Sequence, residues 1–251
     1  MKKVGLILVV LLALAPLALS AQVVIRDNFQ TLGDWQPAFG SWGIRGGMFT
    51  QSDVTTGLAR ADRMLRNVPQ TGEIEISFNV RYQAGGFADA AALRAQQLHA
   101  GFGIQVGVDS SPPRLAWGAG NSYLLWLNLD TRTSTLRNNP EHFGFRGQVY
   151  RSRSNTAMAV MDGPYNTDIL GALAEVGINL SIADLEAFLV EPVRIRIRVN
   201  YSTGLVLVED PTAPGLWFEV PLDAQVLRGN YVSLRTNSLA VNFTDFTVSR
   251  R

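Results

Sequence analysis

The chain has 251 residues, of which 47% are hydrophobic, 22 are basic and 21 are acidic, and it contains no cysteine. Its only lysines are Lys2 and Lys3, so from residue 22 onward 22 − 2 = 20 basic residues face 21 acidic ones, a formal charge of −1. This balance argues against nucleic acid or an anionic membrane surface as the partner, and the missing lysines and cysteines exclude Schiff-base chemistry and disulfide bonds.

The first 21 residues have the three parts of a secretory signal peptide: two lysines, an apolar run, and small residues at Ser20 and Ala21. We expect this leader to be removed, which predicts an exported protein, periplasmic or extracellular, with no stable membrane anchor. A retained anchor is the alternative, but the apolar run is short for crossing a bilayer. Residues 22–251 are expected to form a single β-sandwich domain.

Period-two alternation predicts most of the remaining elements. An opening hairpin is expected in "SWGIRGGMFTQ", where Gly46 and Gly47 permit a tight turn. In "GEIEISFNVRY" the apolar residues from Ile74 to Tyr82 share one face and the polar residues from Glu73 to Arg81 share the other. Further strands are predicted in "GFGIQVGV", "SYLLWLNLD", "GLWFEVP", "NYVSLRT" and "LAVNFTDFTVSR", and a hairpin in "PVRIRIRVNYSTGLVLVED".

Two segments have helical patterns, and one is polar. "FADAAALRAQQLHAG", ending near His99, and "SIADLEAFLVEP", beginning at Ser181, are each expected to form a short helix. The polar residues 131–156 are expected to form a long loop or a pair of edge strands. The predicted fold class is therefore all-β: a two-sheet antiparallel sandwich with one or two short inserted helices.

The order of these features resembles the concanavalin A-like lectin and glucanase jelly rolls, in particular their laminin-G-like bacterial branch. The resemblance rests on "DNF", "GSW…GGMFTQS", "EIEISFNVRY", "GFGIQVG", "YLLWLNLD", "PVRIRIRVN…VLVED", "YVSLRT" and "VNFTDFTV", in that order. It implies two stacked sheets, adjacent first and last strands, and a concave face available to ligands. The superfamily holds lectins, glycan-binding modules, hydrolases and structural domains, so the fold leaves the function open.

Candidate catalytic residues are few. Glu73 and Glu75 share a strand face, as the paired carboxylates of a retaining glycosidase do, but Ser77 and Asn79 occupy the following positions, so the glucanase pattern is incomplete. The only histidines, His99 and His142, lack the spacing of a triad or a metal site, and we interpret both as structural or solvated.

A calcium ion is the one candidate cofactor. In related jelly rolls such an ion ties the first strand to the last, and Asp27, Asn28 and Asp245 lie where these strands should pair. The alternative is that Asp27 caps a turn and Asp245 is an exposed strand residue.

Sugar binding uses flat aromatic faces beside polar groups. In "SYLLWLNLD" the alternation places Trp126 with Asn128 and Asp130, opposite the apolar face, and makes them the best ligand-binding candidates; core packing is the alternative for Trp126. Arg196 and Arg198, in an outward arginine row with Arg194, are also candidates, either for a ligand or for a cross-strand charge ladder with Glu73 and Glu75.

The leading functional hypothesis is an exported, non-catalytic module that binds a glycan or a cell-envelope protein. One alternative is a structural subunit of a periplasmic or surface assembly such as a filament coat, which would make the chain a homo-oligomer. Another alternative is a glycoside hydrolase-like enzyme on the same fold.

Overall fold

The computed structural model describes residues 22–57, 59–86, 95, 97–109, 118–175, 177–181, 184 and 190–251. The predicted leader lies outside the described residues. Most of both predicted helical segments also lies outside the described residues, so neither helix is tested. At the end of the first of these segments the prediction is wrong, because His99, Ala100 and Gly101 begin a strand. No helix among the described residues is both long enough and apolar enough to cross a membrane.

Two antiparallel sheets of eight strands each form the fold, which confirms the predicted fold class. With strands numbered in chain order, sheet A contains β1 (Gln22–Asp27), β3 (Trp42–Arg45), β4 (Met48–Gln51), β6 (Glu73–Gly85), β12 (Val193–Asn200), β13 (Leu205–Glu209), β14 (Trp217–Pro221) and β16 (Leu239–Arg250). Sheet B contains β2 (Trp35–Phe39), β5 (Ala59–Met64), β7 (His99–Val108), β8 (Ser122–Asp130), β9 (Gly144–Ser152), β10 (Met158–Val160), β11 (Asn166–Asp168) and β15 (Tyr231–Asn237).

Sheet A has the order β14-β13-β12-β6-β16-β4-β3, with β1 also paired to β16. The first strand therefore pairs with the last, as expected, although β1 ends at Asp27 and Phe29 lies beyond it at a φ of 53°. Sheet B has the order β10-β9-β8-β7-β15-β5-β2, with β11 paired to β9. The β3–β4 hairpin turns at Gly46 and Gly47, whose φ angles of 57° and 74° confirm the predicted tight turn.

The polar segment 131–156 is more ordered than predicted. It contains helix α1 (Thr133–Asn138), a 3₁₀ turn (Pro140–His142) and strand β9, which lies inside sheet B between β8 and β10. Strand β9 has a core face because Phe145 and Val149 are buried, but arginine, glycine and glutamine hide this alternation in the sequence. A second helix, α2 (Ile169–Glu175), follows β11.

The core fills the space between the two sheets. Alternating residues of β6, such as Ile76 and Phe78, pack in the same cluster as Phe102 and Ile104 of β7, and this confirms the predicted inward face of β6. An aromatic group joins the two sheets: the ring of Trp35, on β2 of sheet B, lies 5.2 Å from Phe49 of sheet A between ring centroids, and Phe49 lies 4.9 Å from Trp42. Trp42 is thus a packing residue.

Candidate functional site

The candidate site lies on the outer face of sheet B, on the side away from the core. On β8, Leu125 and Leu129 pack into the core, while Trp126, Asn128 and Asp130 point outward, as the alternation predicts. The antiparallel register continues this face across the neighbouring strands. One row joins Arg235, Gly103, Trp126 and Gln148, and the next joins Asn237, Gly101, Asn128 and Arg146.

Two glycines on β7 create room for the Trp126 ring. A Cβ atom at Gly101 would lie 2.6 Å from Cε2 and Cζ2 of the indole, and one at Gly103 would lie 2.9 Å from its Cε3. The indole therefore lies over β7, in the space that side chains at positions 101 and 103 would otherwise fill. Its Nε1 is directed at Asn128 Oδ1, 3.3 Å away, and the residue remains partly exposed. Trp126 thus forms a fixed aromatic surface on the outside of the sheet.

A cavity of about 210 Å³ opens beside this ring. Sheet B supplies its floor through β7, β8 and β15, and α1 with the following 3₁₀ turn contributes to its wall through Thr135 and His142. Its polar lining includes His99, Asn128, Asp130, Arg132, Arg235 and Asn237. The three candidates from β8 therefore lie together at one cavity.

Asp130 is held in its ionised form at the base of the cavity. Arg132 donates to it from Nε at 3.0 Å and from Nη2 at 2.6 Å, and Thr135 Oγ1 donates at 2.9 Å. Burial acts to raise the pKa of Asp130, but these hydrogen bonds and the nearby His99 outweigh it, so the pKa lies below its usual value. Burial and the same carboxylate raise the pKa of neighbouring Tyr150 to about 12. Asp130 therefore presents a fixed acceptor, and Tyr150 keeps its hydroxyl proton.

Both histidines of the chain line this cavity, which the sequence interpretation missed. His99 Nδ1 lies 3.2 Å from Asn237 Nδ2, and burial followed by the charge of Arg132 lowers the pKa of His99, so its ring is neutral at pH 7. His142 Nδ1 lies 3.3 Å from Gln148 Nε2, and its Nε2 lies 3.3 Å from Glu141 Oε1. The hydrogen bonds give both rings a structural role, but their place in the cavity also makes them candidate ligand contacts.

Buried polar side chains of β5 and β15 continue the outer face of sheet B beyond the cavity. Arg60 Nε lies 3.1 Å from Asp62 Oδ1, which also accepts a hydrogen bond from Ser233 at 2.7 Å. Arg235 Nη1 donates to Gln105 Oε1 at 2.8 Å. The sequence carried one signal for these side chains: in "YVSLRTN" the polar residues Ser233, Arg235 and Asn237 alternate with Val232 and Leu234.

Arg196 and Arg198, the other two ligand-binding candidates, lie elsewhere, on the outer face of sheet A. Strand β12 pairs with β6, and both arginines donate to Glu75, Arg196 from Nη2 at 3.1 Å and Arg198 from Nε at 3.0 Å. The guanidinium carbons lie 5.1 Å and 4.0 Å from the ring centroid of Trp217. The predicted charge ladder is therefore confirmed for Glu75, whereas Glu73 lies opposite Asn200.

Glu75 does not fit the role of a general acid. Burial acts to raise its pKa, but hydrogen bonds from Arg251, Arg198 and Arg196 together lower it below the usual value for glutamate. A general acid in a glycosidase must instead hold its proton near neutral pH. The carboxylate is thus kept charged in an ion-pair cluster that also includes Glu209, bonded to Arg196 Nη1 at 2.6 Å.

Asp27 and Asp245, two of the three candidate calcium ligands, form hydrogen bonds with different parts of the protein. Asp27 Oδ2 accepts hydrogen bonds from Arg63 Nη1 at 2.8 Å and from Trp35 Nε1 at 3.0 Å, and Asn28 is exposed. Asp245, at a bulge of β16 with a φ of 53°, accepts from Asn79 Nδ2 at 2.8 Å. Within the described part of the chain, no group of three or more His, Asp or Glu side chains could hold a metal ion. The calcium site stays a prediction.

No protein-family model matches the sequence, and no curated protein matches it. Solved structures similar to the chain include the carbohydrate recognition domain of Emp46p, with a TM-score of 0.50 and 10% identity over 88% of this chain and 93% of that one. They also include the carbohydrate-binding module CBM66 of Bacillus subtilis, with a TM-score of 0.49 and 7% identity over 86% and 95%. A lectin from Bauhinia forficata in complex with GalNAc has a TM-score of 0.47 and 12% identity over 92% and 98%.

At 10% identity, the likeness to the Emp46p domain concerns the fold alone. Together with the two eight-stranded antiparallel sheets, this likeness shows that the chain has the concanavalin A-like jelly-roll fold.

Proposed function

We propose that the chain binds a glycan on the outer face of sheet B, with a sugar ring stacked on Trp126. The observation that carries this proposal is the position of the indole, which lies over the two glycines of β7 beside a polar cavity. The CH face of a sugar packs against an aromatic ring, and its hydroxyl groups need paired donors and acceptors. Asn128, Asp130 and Asn237 line this cavity and carry both kinds of group. The Emp46p neighbour is itself named a carbohydrate recognition domain.

Replacing Trp126 with alanine tests this proposal. We expect the Trp126→Ala variant to lose at least tenfold in affinity for a glycan that the wild-type chain binds, because the stacking surface disappears. The measurement is a glycan array followed by titration calorimetry on the best polysaccharide. Trp217→Ala is the matched control, since it removes the same side chain from the outer face of sheet A. Equal loss in both variants, or none in either, would contradict the proposed site.

We further propose that this glycan belongs to the cell envelope or to the surrounding medium. The support is the leader-like sequence of residues 1–21 and the absence of cysteine. In the native cell, we expect the mature chain to begin near Gln22 and to be recovered from the periplasm or the medium. Fractionation followed by N-terminal sequencing measures both properties. Recovery of the full-length chain in the cytoplasm would refute this second proposal without affecting glycan binding.

A further inference from the structure

Strand β14 lies at the end of sheet A, and among the strands that the structure describes none pairs with its second edge. Its first edge pairs with β13, where Asp210 N donates to Leu216 O at 2.9 Å. In an antiparallel pair, directly opposed residues alternate between those that exchange hydrogen bonds and those that do not. The bond at Leu216 therefore directs the backbone groups of Phe218 toward β13. Those of Trp217 and Glu219 point to the second edge.

The side chains on the core-facing side of β14 are apolar, and two of them are exposed. Val220 lies opposite Val206, which is fully buried, and this places Leu216, Phe218 and Val220 on that side. Leu216 is nevertheless 52% exposed and Phe218 is 53% exposed, the highest values for large hydrophobic side chains in the described part of the chain. An exposed apolar edge strand is a template for pairing with another chain.

The other outer strands carry features that oppose such pairing. In sheet B, β2 contains Pro37 with a register shift beside it, and β10 and β11 have three residues each. Strand β3, at the opposite end of sheet A, has four residues and ends at Arg45. Proline, bulges, short length and charge are the usual protections of an edge strand. In β14 the one proline is the last residue, Pro221, so the edge before it is open to a partner strand.

A second copy of β14 is complementary to this edge when a two-fold axis passes through Phe218. Antiparallel pairing about that axis places Trp217 of each copy opposite Glu219 of the other, and their outward backbone groups form about four hydrogen bonds. Phe218 then faces Phe218 of the second copy as a closely spaced pair that exchanges no hydrogen bonds. Leu216 faces Val220 on the same side, so the exposed apolar side chains cover one another.

Neighbouring positions of the axis are less favourable. An axis at Glu219 would place the two like-charged carboxylates opposite each other and would require an N–H group from Pro221, which has none. An axis at Trp217 would require the N–H of Gly215, which already donates to Glu209 Oε1 at 2.9 Å. The register about Phe218 avoids both problems.

The outward side of the same pairing is complementary in charge. The guanidinium carbons of Arg196 and Arg198 lie 5.1 Å and 4.0 Å from the ring centroid of Trp217. Glu219 is exposed on its own chain. In the second copy it would lie beside this ring, because directly opposed Cβ atoms are about 4.5–5.5 Å apart. A carboxylate of each copy therefore approaches the arginine and indole groups of the other.

We propose that the chain forms a two-fold symmetric dimer in which the two β14 strands pair and join both copies of sheet A into one continuous sheet. The axis is perpendicular to sheet A, so the outer faces of sheet B, with Trp126, point to the same side and stay free in both copies. The dimer therefore goes beyond the proposed glycan binding and does not depend on it.

A single cysteine tests the register on residues 22–251, which contain no cysteine of their own. In a Phe218→Cys variant the two Cβ atoms at the axis would lie about 4.5 Å apart, a distance that a disulfide spans. We expect mild oxidation to produce a covalent dimer on a non-reducing gel at least tenfold faster than in Val23→Cys. This control places a cysteine at another exposed apolar residue of sheet A, on β1. Equal rates in the two variants would overturn the proposed pairing.

Sedimentation measures the association without a crosslink. We expect the wild-type chain to be dimeric at about 100 μM and to dissociate on dilution through the micromolar range. Phe218→Asp places two carboxylates at the axis and should weaken the dimer at least tenfold, whereas Val23→Asp should not weaken it; thermal unfolding shows whether each variant is folded. A wild-type chain that is monomeric at this concentration would overturn the proposal, as would a dimer that persists in Phe218→Asp. Neither result would affect glycan binding at Trp126, which lies on the other sheet.

Discussion

A Gly101→Ala variant should lose glycan binding almost as completely as Trp126→Ala, although it removes no group that contacts a ligand. The new methyl group would lie 2.6 Å from two indole carbons and 2.6 Å from the carbonyl oxygen of Leu127. Non-bonded atoms do not approach a methyl carbon this closely. The indole must therefore leave its position across β7. We expect at least a tenfold loss of affinity and about 1–3 kcal/mol of lost stability, the usual range for overpacking.

Gly43→Ala is the matched control for this experiment. Gly43 lies on β3 of sheet A, and apart from its two chain neighbours no atom of the described residues lies within 4 Å of an added Cβ. Its stability should stay equal or rise by about 0.5–1 kcal/mol, because alanine loses less conformational entropy than glycine on folding. Calorimetry on the glycan and thermal unfolding of both variants provide the two measurements. A Gly101→Ala protein with normal affinity would show that the ring position does not determine binding.

A Glu75→Gln variant should be the most destabilised of the single substitutions on the outer face of sheet A. Three guanidinium groups, from Arg196, Arg198 and Arg251, bond to this one carboxylate. An amide removes the negative charge and leaves these cations facing one another, with Glu209 still paired to Arg196. Breaking a buried ion pair costs about 3–5 kcal/mol, and the partial exposure of the arginines reduces this to about 2–3 kcal/mol here.

The pH dependence of this difference distinguishes a charge effect from a packing effect. Because the pKa of Glu75 is lowered in the folded state, its contribution is present above the ordinary glutamate value of 4.5 and is lost as pH falls through the folded pKa. Denaturant unfolding should therefore show a large stability difference at pH 7 that shrinks toward pH 3. Glu73→Gln, on the same face of β6 but opposite Asn200, should cost less than about 0.5 kcal/mol at either pH. A difference independent of pH would refute the ion-pair explanation.

The alternation of apolar and polar residues was sufficient to predict the strands that have one face toward the core and the other face outward. Strand β6 is the best example, since each residue from Ile74 to Val80 lies on the predicted side. The charge ladder followed from the same pattern, because arginines and glutamates on two neighbouring strands can pair only on a shared face. Periodicity therefore placed residues on faces, but it gave no information on which sheet each strand joins.

The candidate site was predicted only in part for that reason. Trp126, Asn128 and Asp130 are consecutive outward residues of one strand, so the sequence alone could group them. Arg235 and Asn237 come from β15, more than one hundred residues later, and only the pairing of β15 with β7 brings them beside the indole. His99 was assigned to a helix end because an Ala-rich run precedes it, yet its pairing with Asp130 makes it the first residue of a strand.

The position of β16 affects how the protein can be made. The last strand of the chain lies at the centre of sheet A, where it pairs with β6, β4 and β1. Sheet A therefore cannot close on a growing chain until residues 239–250 have left the ribosome, and its first strand has no edge to join before then. Contacts across so much sequence make folding slow. In the nascent chain, sheet A consequently stays open until nearly every strand of both sheets has been synthesised.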